Sequence, residues 1–214
     1  MAERLRVVQQ RIREALDRSP PGPVRVISAC AGDGRDLLGV LADHPRASEV
    51  RARLVELSSE LVEAGRSRVE RAGLRGVEFR QGDASISAAY TGAVPADIVL
   101  VCGIFGNISD ADVREAIHHL PELGRGGCTV IWTRGRFDPD LTPAIRRWFV
   151  EAGFEELSFV TIPGSTKSVG AARLIGAPRP FDPDRRLFTF LPREARPSTR
   201  AERRPAAASR EVSR

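Results

Sequence analysis

The segment from residue 24 to residue 41 constrains the fold more than any other part of the chain. It begins as a short apolar run rich in β-branched residues, which predicts a buried strand. It then turns through Gly32 and Gly34 and continues as an apolar helical pattern. Such a strand–turn–helix unit brings backbone N–H groups and a helix N-terminus against a ligand, and glycines, which lack a Cβ, let the backbone approach it. The segment therefore predicts an α/β domain with a nucleotide-type ligand at the carboxyl edge of a parallel sheet.

The glycine spacing argues against two common nucleotide-binding loops. A dinucleotide fingerprint that starts at Gly32 requires a third glycine where Leu37 stands. A P-loop requires Gly-Lys followed by Ser or Thr, and the only lysine of the chain is Lys167. A nicotinamide-dependent oxidoreductase is therefore disfavoured but stays an alternative.

Three further segments follow in a regular order. A second strand over residues 52–57 includes the acid Glu56, a third leaves through Gly-Asp-Ala at residues 82–84, and a fourth, strongly apolar, spans residues 96–103. An acid about 20 residues after the glycine loop suits the two hydroxyls of a ribose. Together with the first loop, this order resembles the class I S-adenosylmethionine-dependent methyltransferases over roughly residues 24–176. On the family's first motif Gly32 and Gly34 match the last two glycines.

Two residues depart from that motif, because Cys30 replaces its first glycine and Ser28 replaces its acid. The resemblance implies S-adenosylmethionine as cofactor, with Glu56 on the ribose and Asp83 on the adenine amine. The alternatives are that Glu56 caps the next helix and that Asp83 is a turn residue. Asp33 is also expected at the loop surface, and Arg35 is a candidate partner for a ligand carboxylate. The cofactor-binding candidates are Ala31, Gly32, Asp33, Gly34, Arg35, Glu56, Leu57, Gly82, Asp83, Ala84, Cys102 and Gly103.

The chemistry of methyl transfer leaves few sequence marks, because the sulfonium already supplies the leaving group and a general base is optional. The resemblance places the exit of the fourth strand beside the transferred methyl group. There Asn107 either binds the acceptor or closes a turn, and Phe105 either walls the methyl group or packs in the core. After the fifth strand, Arg134 and Arg136 are candidates for holding an anion, with a solvated loop as the alternative. No metal site is predicted.

The basic composition does not by itself predict a nucleic-acid partner. The chain carries a net charge of +5, but residues 193–214 hold seven Arg and three Glu, which leaves +1 for residues 1–192. This tail lacks large apolar residues except Val212 and is predicted to be disordered. No apolar run is long enough to span a membrane, the N-terminus lacks the apolar core of a signal peptide, and three cysteines without metal-ligand spacing predict reduced thiols. These features predict a cytoplasmic protein.

The resemblance and the strand–helix alternation predict a three-layer α/β sandwich. Its seven-stranded, mostly parallel sheet has the order 3-2-1-4-5-7-6, with strand 7 antiparallel. The predicted boundaries are an N-terminal helix and linker over residues 1–23, the methyltransferase-like domain over 24–191 and a basic tail over 192–214. The predicted helix that begins after Ser109 ends near Leu120, before Pro121.

The function predicted from these features is S-adenosylmethionine-dependent methyl transfer to a small molecule. A non-catalytic cofactor-binding protein of the same fold and an RNA methyltransferase stay as alternatives. The absence of an inserted domain predicts an open site, or one completed by a second subunit in a homodimer. The segments that could cover the site are residues 1–23, 84–95, 103–110, 134–143 and 163–167.

Overall fold

The computed structural model describes residues 2–195, so the predicted basic tail lies outside the described residues from residue 196 onward. Seven strands form one sheet in the order β3-β2-β1-β4-β5-β7-β6. They are β1 (Val24–Ala29), β2 (Val50–Glu56), β3 (Val77–Gln81), β4 (Ala96–Val101), β5 (Gly124–Gly135), β6 (Phe154–Thr161) and β7 (Lys167–Leu174). The first five strands run parallel, and β7 is antiparallel to both β5 and β6. The predicted strand order and the antiparallel strand 7 are confirmed.

Within residues 2–195, five α-helices cover the two faces of this sheet, which makes a three-layer sandwich. They are α1 (Ala2–Arg18), α2 (Arg35–Leu41), α3 (Ser59–Arg71), α4 (Asp110–Leu123) and α5 (Thr142–Glu151). The buried residues of α1, α2 and α3 belong to one core cluster, and those of α4 and α5 belong to the other. The strands separate the two clusters because side chains alternate between the faces of a strand. All six residues of β4, in the middle of the sheet, are buried.

The helix α4 begins at its predicted cap, where the Ser109 hydroxyl accepts a hydrogen bond from the Asp112 N–H at 3.0 Å. The prediction that this helix ends before Pro121 is wrong, because it continues to Leu123. A proline in the last turn removes a single backbone hydrogen bond, and the Pro121 carbonyl accepts one from the Arg179 N–H at 3.1 Å. Burial of Leu123 in the core holds this last turn in place.

The helix α1 is firmly attached to the rest of the domain. Val8, Ile12 and Leu16 are buried in the core on its inner side. At its C-terminal end the Arg46 guanidinium donates to four backbone carbonyls, those of Leu16, Ser19, Pro20 and Gly22, at 2.7–3.1 Å. The domain boundaries given by the sequence stay predictions, but α1 shares the core of the α2 and α3 face.

Across residues 2–195, none of the helices combines the length and the apolarity needed to cross a lipid bilayer.

Candidate functional site

The carboxyl ends of the parallel strands meet at one edge of the sheet, and most of the predicted site residues lie there. A cavity of about 640 Å³ opens at this edge. Six of the predicted cofactor-binding residues line it, namely Ala31, Gly32, Asp33, Arg35, Cys102 and Gly103. The exits of β1 and β4 and the start of α2 therefore form one wall, as expected for neighbouring parallel strands.

Glu56, at the end of β2, holds the loop that follows β1. One carboxylate oxygen accepts a hydrogen bond from the Gly32 N–H at 2.9 Å, and the other accepts from the N–H groups of Leu57 and Ser58 at 2.9 and 3.0 Å. The Ala31 N–H also donates to the Val55 carbonyl at 3.0 Å. These bonds fix the glycine loop against the end of the neighbouring strand.

The two motif glycines have different roles. Gly32 has a φ of +59°, and a Cβ built on it would meet no atom within 4 Å, so its missing side chain leaves open space in the cavity wall. Gly34 has a φ of +70°, but a Cβ there would lie 2.7 Å from the Phe79 ring and 2.9 Å from Leu54. The absence of a Cβ at Gly34 therefore makes room for the core, and an approach of its backbone to a ligand stays a prediction.

Asp33 is not at the loop surface, which corrects that expectation. Its side chain is 8% exposed and lies between two arginines, with bonds of 2.8 and 2.7 Å from Arg35 and a contact of 3.0 Å to Arg68. The hydrogen bond from Arg35 outweighs the cost of burial and lowers the pKa of Asp33 below its ordinary value. Because Arg35 already pairs with Asp33, it is not a free cation for a ligand carboxylate.

The other predicted candidates lie at the ends of β2 and β3, beside the cavity rather than on its wall. Asp83 accepts bonds from the Ser85 N–H and hydroxyl at 2.9 and 2.7 Å. Burial is the largest single effect on the pKa of Asp83 and raises it, but the bonds from Ser85 and the nearby Arg186 guanidinium, 3.5 Å away, together lower the net pKa. Ala84 is buried, the Gly82 N–H donates to the Glu56 carbonyl, and Leu57 is 70% exposed. An exposed leucine beside a carboxylate offers an apolar surface for a flat ring.

The two residues considered for the acceptor side take different positions. Phe105 is 1% exposed, and its ring packs 6.0 Å from that of Trp132 and 6.4 Å from that of Phe149. It therefore belongs to the core and does not wall the cavity. The Asn107 side-chain amide donates to the Gly103 carbonyl at 2.6 Å, which closes the loop after β4.

A second cavity, of about 160 Å³, adjoins the first. The two share Arg4, Gly103 and Thr133. The rest of the smaller wall comes from the loop after β4, the end of β5 and the start of β7, with Gly106, Asn107, Arg134, Gly135, Phe137 and Lys167. Arg134, one of the anion-holding candidates, is therefore a wall residue, whereas Arg136 donates to the Ser165 carbonyl at 3.1 Å.

Several wall residues were not predicted from the sequence. The first two turns of α1 contribute Ala2, Arg4, Leu5 and Val8. The sequence names this helix as a possible cover but not its residues, although Leu5 extends the apolar stripe of the helix beyond its buried part. Leu61, on α3, is 38% exposed and also lines the cavity.

Asp36, in the first turn of α2, also lines the large cavity and was missed. Its carboxylate accepts a hydrogen bond from the Leu37 N–H at 2.8 Å. Burial raises the pKa of Asp36 above its ordinary value of 3.8, and this effect outweighs the bond from Leu37. By contrast Ser28, which stands at the family's acid position, is 1% exposed inside β1 and does not line the cavity.

Cys30 keeps the conformation of the glycine that it replaces in the motif. Its φ of +53° is one that residues with a Cβ rarely adopt, at a cost of about 1 kcal/mol. Burial raises the pKa of the Cys30 thiol to about 12 and that of the Cys102 thiol as well. Both wall cysteines are therefore neutral and act as small apolar groups.

Comparison with known proteins gives one family. The family model described as "Putative methyltransferase" matches residues 2–151. No curated protein matches the chain.

Solved structures match the fold. Magnesium protoporphyrin IX methyltransferase from Synechocystis, solved with bound SAM, has a TM-score of 0.63 at 14% identity, with 80% of both chains covered. The 1,6-didemethyltoxoflavin-N1-methyltransferase from Burkholderia thailandensis, solved with its substrate and S-adenosylhomocysteine, has a TM-score of 0.63 at 18% identity over 80% of this chain and 78% of that one.

An RNA methyltransferase from Salinibacter ruber, in complex with S-adenosylhomocysteine, has a TM-score of 0.53 at 22% identity, over 83% of this chain and 96% of that one. Other matched methyltransferases are longer proteins, of which the chain spans 54–56%. At these identities the structures establish a shared fold.

Proposed function

The chain belongs to the methyltransferase family whose model matches residues 2–151, and from this premise we propose that it binds S-adenosylmethionine and transfers its methyl group to a small molecule. One observation carries the proposal. The glycine loop after β1 and the exit of β4 line one cavity of about 640 Å³ at the sheet edge, and the Glu56 carboxylate bonds this loop at Gly32. Structures of the same fold hold SAM or S-adenosylhomocysteine.

The residues at this edge fit such a ligand in three ways. A Cβ at Gly32 or Gly103 would stand in open space, so both backbones are accessible from the cavity. The Glu56 carboxylate suits ribose hydroxyls, and exposed Leu57 offers an apolar surface to adenine. Asp83, which already accepts from Ser85, is the candidate acceptor for the adenine amine.

Asp36 is the acid that we assign to the ammonium of the methionine part. The family's acid position holds Ser28, which is buried in β1, whereas Asp36 stands on the cavity wall. A cation beside this carboxylate offsets the burial that raises its pKa.

The sulfonium of bound S-adenosylmethionine supplies the electrophilic methyl group. The protein then has to orient the acceptor and exclude water. The first two turns of α1, with Leu5 and Val8, cover one side of the cavity. Thr133 accepts a hydrogen bond from the Gly103 N–H at 2.8 Å, which fixes the exit of β4 where the two cavities join. The smaller cavity, on the far side of Gly103, is the proposed acceptor site.

The experiment that tests this proposal is calorimetric titration with S-adenosylmethionine and S-adenosylhomocysteine, with NAD and ATP as controls. We expect micromolar binding of the first two only. The E56A variant removes the acceptor of three backbone N–H groups and the proposed ribose partner, so its affinity is expected to fall at least tenfold, or about 1.4 kcal/mol. E60A, an exposed glutamate on α3, is the matched control and is expected to bind as the wild type does.

Absence of binding in a folded protein contradicts the assignment. Binding without turnover on any acceptor instead favours a non-catalytic cofactor-binding protein. An RNA substrate is the other alternative, with the RNA methyltransferase of the same fold in its favour. We propose a small molecule because residues 1–192 carry a net charge of only +1 and because the smaller cavity measures only about 160 Å³. Cytoplasmic location and a homodimer stay predictions.

A further inference from the structure

The smaller cavity has a one-sided distribution of charge. Three of its nine wall residues are cationic, namely Arg4, Arg134 and Lys167, and none of the nine is acidic. The remaining wall consists of glycines, Asn107, Thr133 and the ring of Phe137. A cavity with this wall favours an anion over a neutral or cationic group of the same size.

Two of these cations form no ion pair with a carboxylate at contact distance in the part of the chain that the structure describes. The half-buried Arg4 guanidinium forms no ion pair within 4 Å and no side-chain hydrogen bond within residues 2–195, and its nearest electrostatic effect is on Asp36 of the larger cavity, whose pKa it lowers. The Lys167 ammonium contacts only the Phe137 ring, 5.5 Å from its centroid, among the described residues. Elsewhere in the fold, arginines such as Arg35, Arg46 and Arg146 each pair with a carboxylate at 2.8 Å or less. Arg4 and Lys167, neither of them held in a close ion pair, thus stand together on the wall of one cavity.

The third cation, Arg134, is deeply buried and only partly compensated. Its side chain is 4% exposed, and its nearest acid, Asp110, lies 3.6 Å away and is largely exposed. The guanidinium donates to the Phe105 carbonyl, but its Nε has no hydrogen-bond partner in the described part of the chain. A buried cation with incomplete compensation gains stability when a further anion is placed nearby.

The position of Arg4 connects this group of cations with the proposed cofactor cavity. Arg4 lines both cavities, so an anion held by Arg4 and Lys167 lies in a space that opens onto the proposed cofactor cavity at Gly103. A guanidinium binds a carboxylate or a phosphate through two parallel hydrogen bonds, and an ammonium adds a point charge. The Phe137 ring leaves an apolar side against which the body of a small molecule can rest.

From these contacts we infer that the methyl acceptor is a small molecule bearing an oxyanion, a carboxylate or a phosphate ester, which Arg4 and Lys167 bind in the smaller cavity. This inference rests on the proposed function in one respect, because only a methyltransferase makes the bound molecule a methyl acceptor. The anion site itself does not depend on methyl transfer and is tested without it.

The chain offers a specific probe, because Lys167 is its only lysine. Reductive methylation with ¹³C-formaldehyde keeps the positive charge and labels two sites, Lys167 and the terminal amine. The K167M variant identifies the Lys167 resonance by removing it. Titration of the labelled full chain then uses benzoate, its neutral analogue benzamide, and inorganic phosphate at constant ionic strength.

We expect benzoate or phosphate to shift the Lys167 resonance in a saturable manner and benzamide to leave it in place. A tighter response to benzoate assigns a carboxylate, and a tighter response to phosphate assigns a phosphate ester. The R4Q variant is expected to weaken the anion affinity at least tenfold. R6Q is the matched control, because Arg6 lies on the same helix, is 76% exposed and pairs with Glu3.

An equal response to benzoate and benzamide, equal affinities in R4Q and R6Q, or no response to either anion in the millimolar range overturns the inference. A parallel calorimetric titration with S-adenosylhomocysteine separates the two proposals. If S-adenosylhomocysteine binds and the anions do not, the acceptor inference alone fails. If the anions bind and S-adenosylhomocysteine does not, the methyltransferase function fails and the anion site stands.

Discussion

The two halves of the carboxyl edge satisfy their charges in opposite ways. In the half formed by β1, β2 and β3, the acids Glu56, Asp33 and Asp83 each accept two or more hydrogen bonds from neighbouring groups of the protein. In the half formed by β4, β5 and the start of β7, which Arg4 of α1 also lines, the cations Arg4 and Lys167 form no ion pair at contact distance within residues 2–195. In the first half, the hydrogen bonds to these three acids are formed by the protein itself without a ligand. The second leaves charge for a ligand to compensate.

The largest effect, a loss of stability, is expected from G34A in the half formed by β1, β2 and β3. The added methyl group lies 2.7 Å from Phe79 and 2.9 Å from Leu54, and the residue keeps a φ of +70°. Overpacking and the left-handed backbone together predict a loss of about 3 kcal/mol in the free energy of unfolding. The measurement is urea denaturation.

G32A is the matched control for this prediction. Its φ is nearly the same, but its methyl group meets no protein atom within 4 Å. We expect a stability loss of about 1 kcal/mol from the backbone alone, together with weaker binding of S-adenosylhomocysteine because the methyl group occupies cavity space. Equal stability losses in the two variants contradict the separation of a core glycine from a cavity glycine.

The next effect concerns α1, which places Arg4 on the walls of both cavities. R46A removes the donors to four carbonyls at the end of this helix and an ion pair to Glu49, so the free energy of unfolding is expected to fall by about 2 kcal/mol. Binding of S-adenosylhomocysteine is expected to weaken as well, because α1 forms part of the cavity wall. R18A, at the exposed end of the same helix, is the control. A stable R46A protein with unchanged binding rules out the anchoring role.

The smallest effect concerns the negative charge of Asp36, on the wall of the proposed cofactor cavity. Burial raises the pKa of Asp36, so the proposed contact with a ligand ammonium is present above that raised pKa and is lost as the pH falls through it toward 3.8. The wild-type affinity for S-adenosylhomocysteine should therefore decrease with falling pH. D36N is expected to bind about tenfold more weakly at pH 7, or about 1.4 kcal/mol, and to lose this pH dependence.

The stability of the ligand-free protein should move in the opposite direction. A carboxyl group with a raised pKa in the folded state lowers stability as the pH rises through that value, so D36N is expected to be more stable than the wild type at pH 7. The control is D43N, because the Asp43 carboxylate of the wild type is 67% exposed and pairs with Arg13. If the affinity of D36N for S-adenosylhomocysteine depends on pH as that of the wild type does, another group binds the ammonium.

The strands and helices were largely predictable, because each follows from a local pattern. Alternation and apolar runs located the strands, and the cap at Ser109 located the start of α4. The end of α4 was not predictable, because the rule that proline ends a helix takes no account of the core contacts of Leu123 on its far side. For the site, the strand-end residues were predictable from motif order. The contacts that they make were not.

The sequence by itself determined where the strands and helices lie along the chain, since hydrophobic periodicity and glycine turns act over a few residues. The order of the strands in the sheet and the edge at which the site lies followed from the resemblance to the class I methyltransferases. Only the tertiary structure decided what each site residue does there. Gly34 faces Phe79, which is 45 positions away, and Asp33 pairs with Arg68 of another helix. Arg4 and Lys167 are far apart in the sequence but share one cavity wall. These roles arise from packing between segments distant in sequence, and no local pattern records which partner each side chain meets.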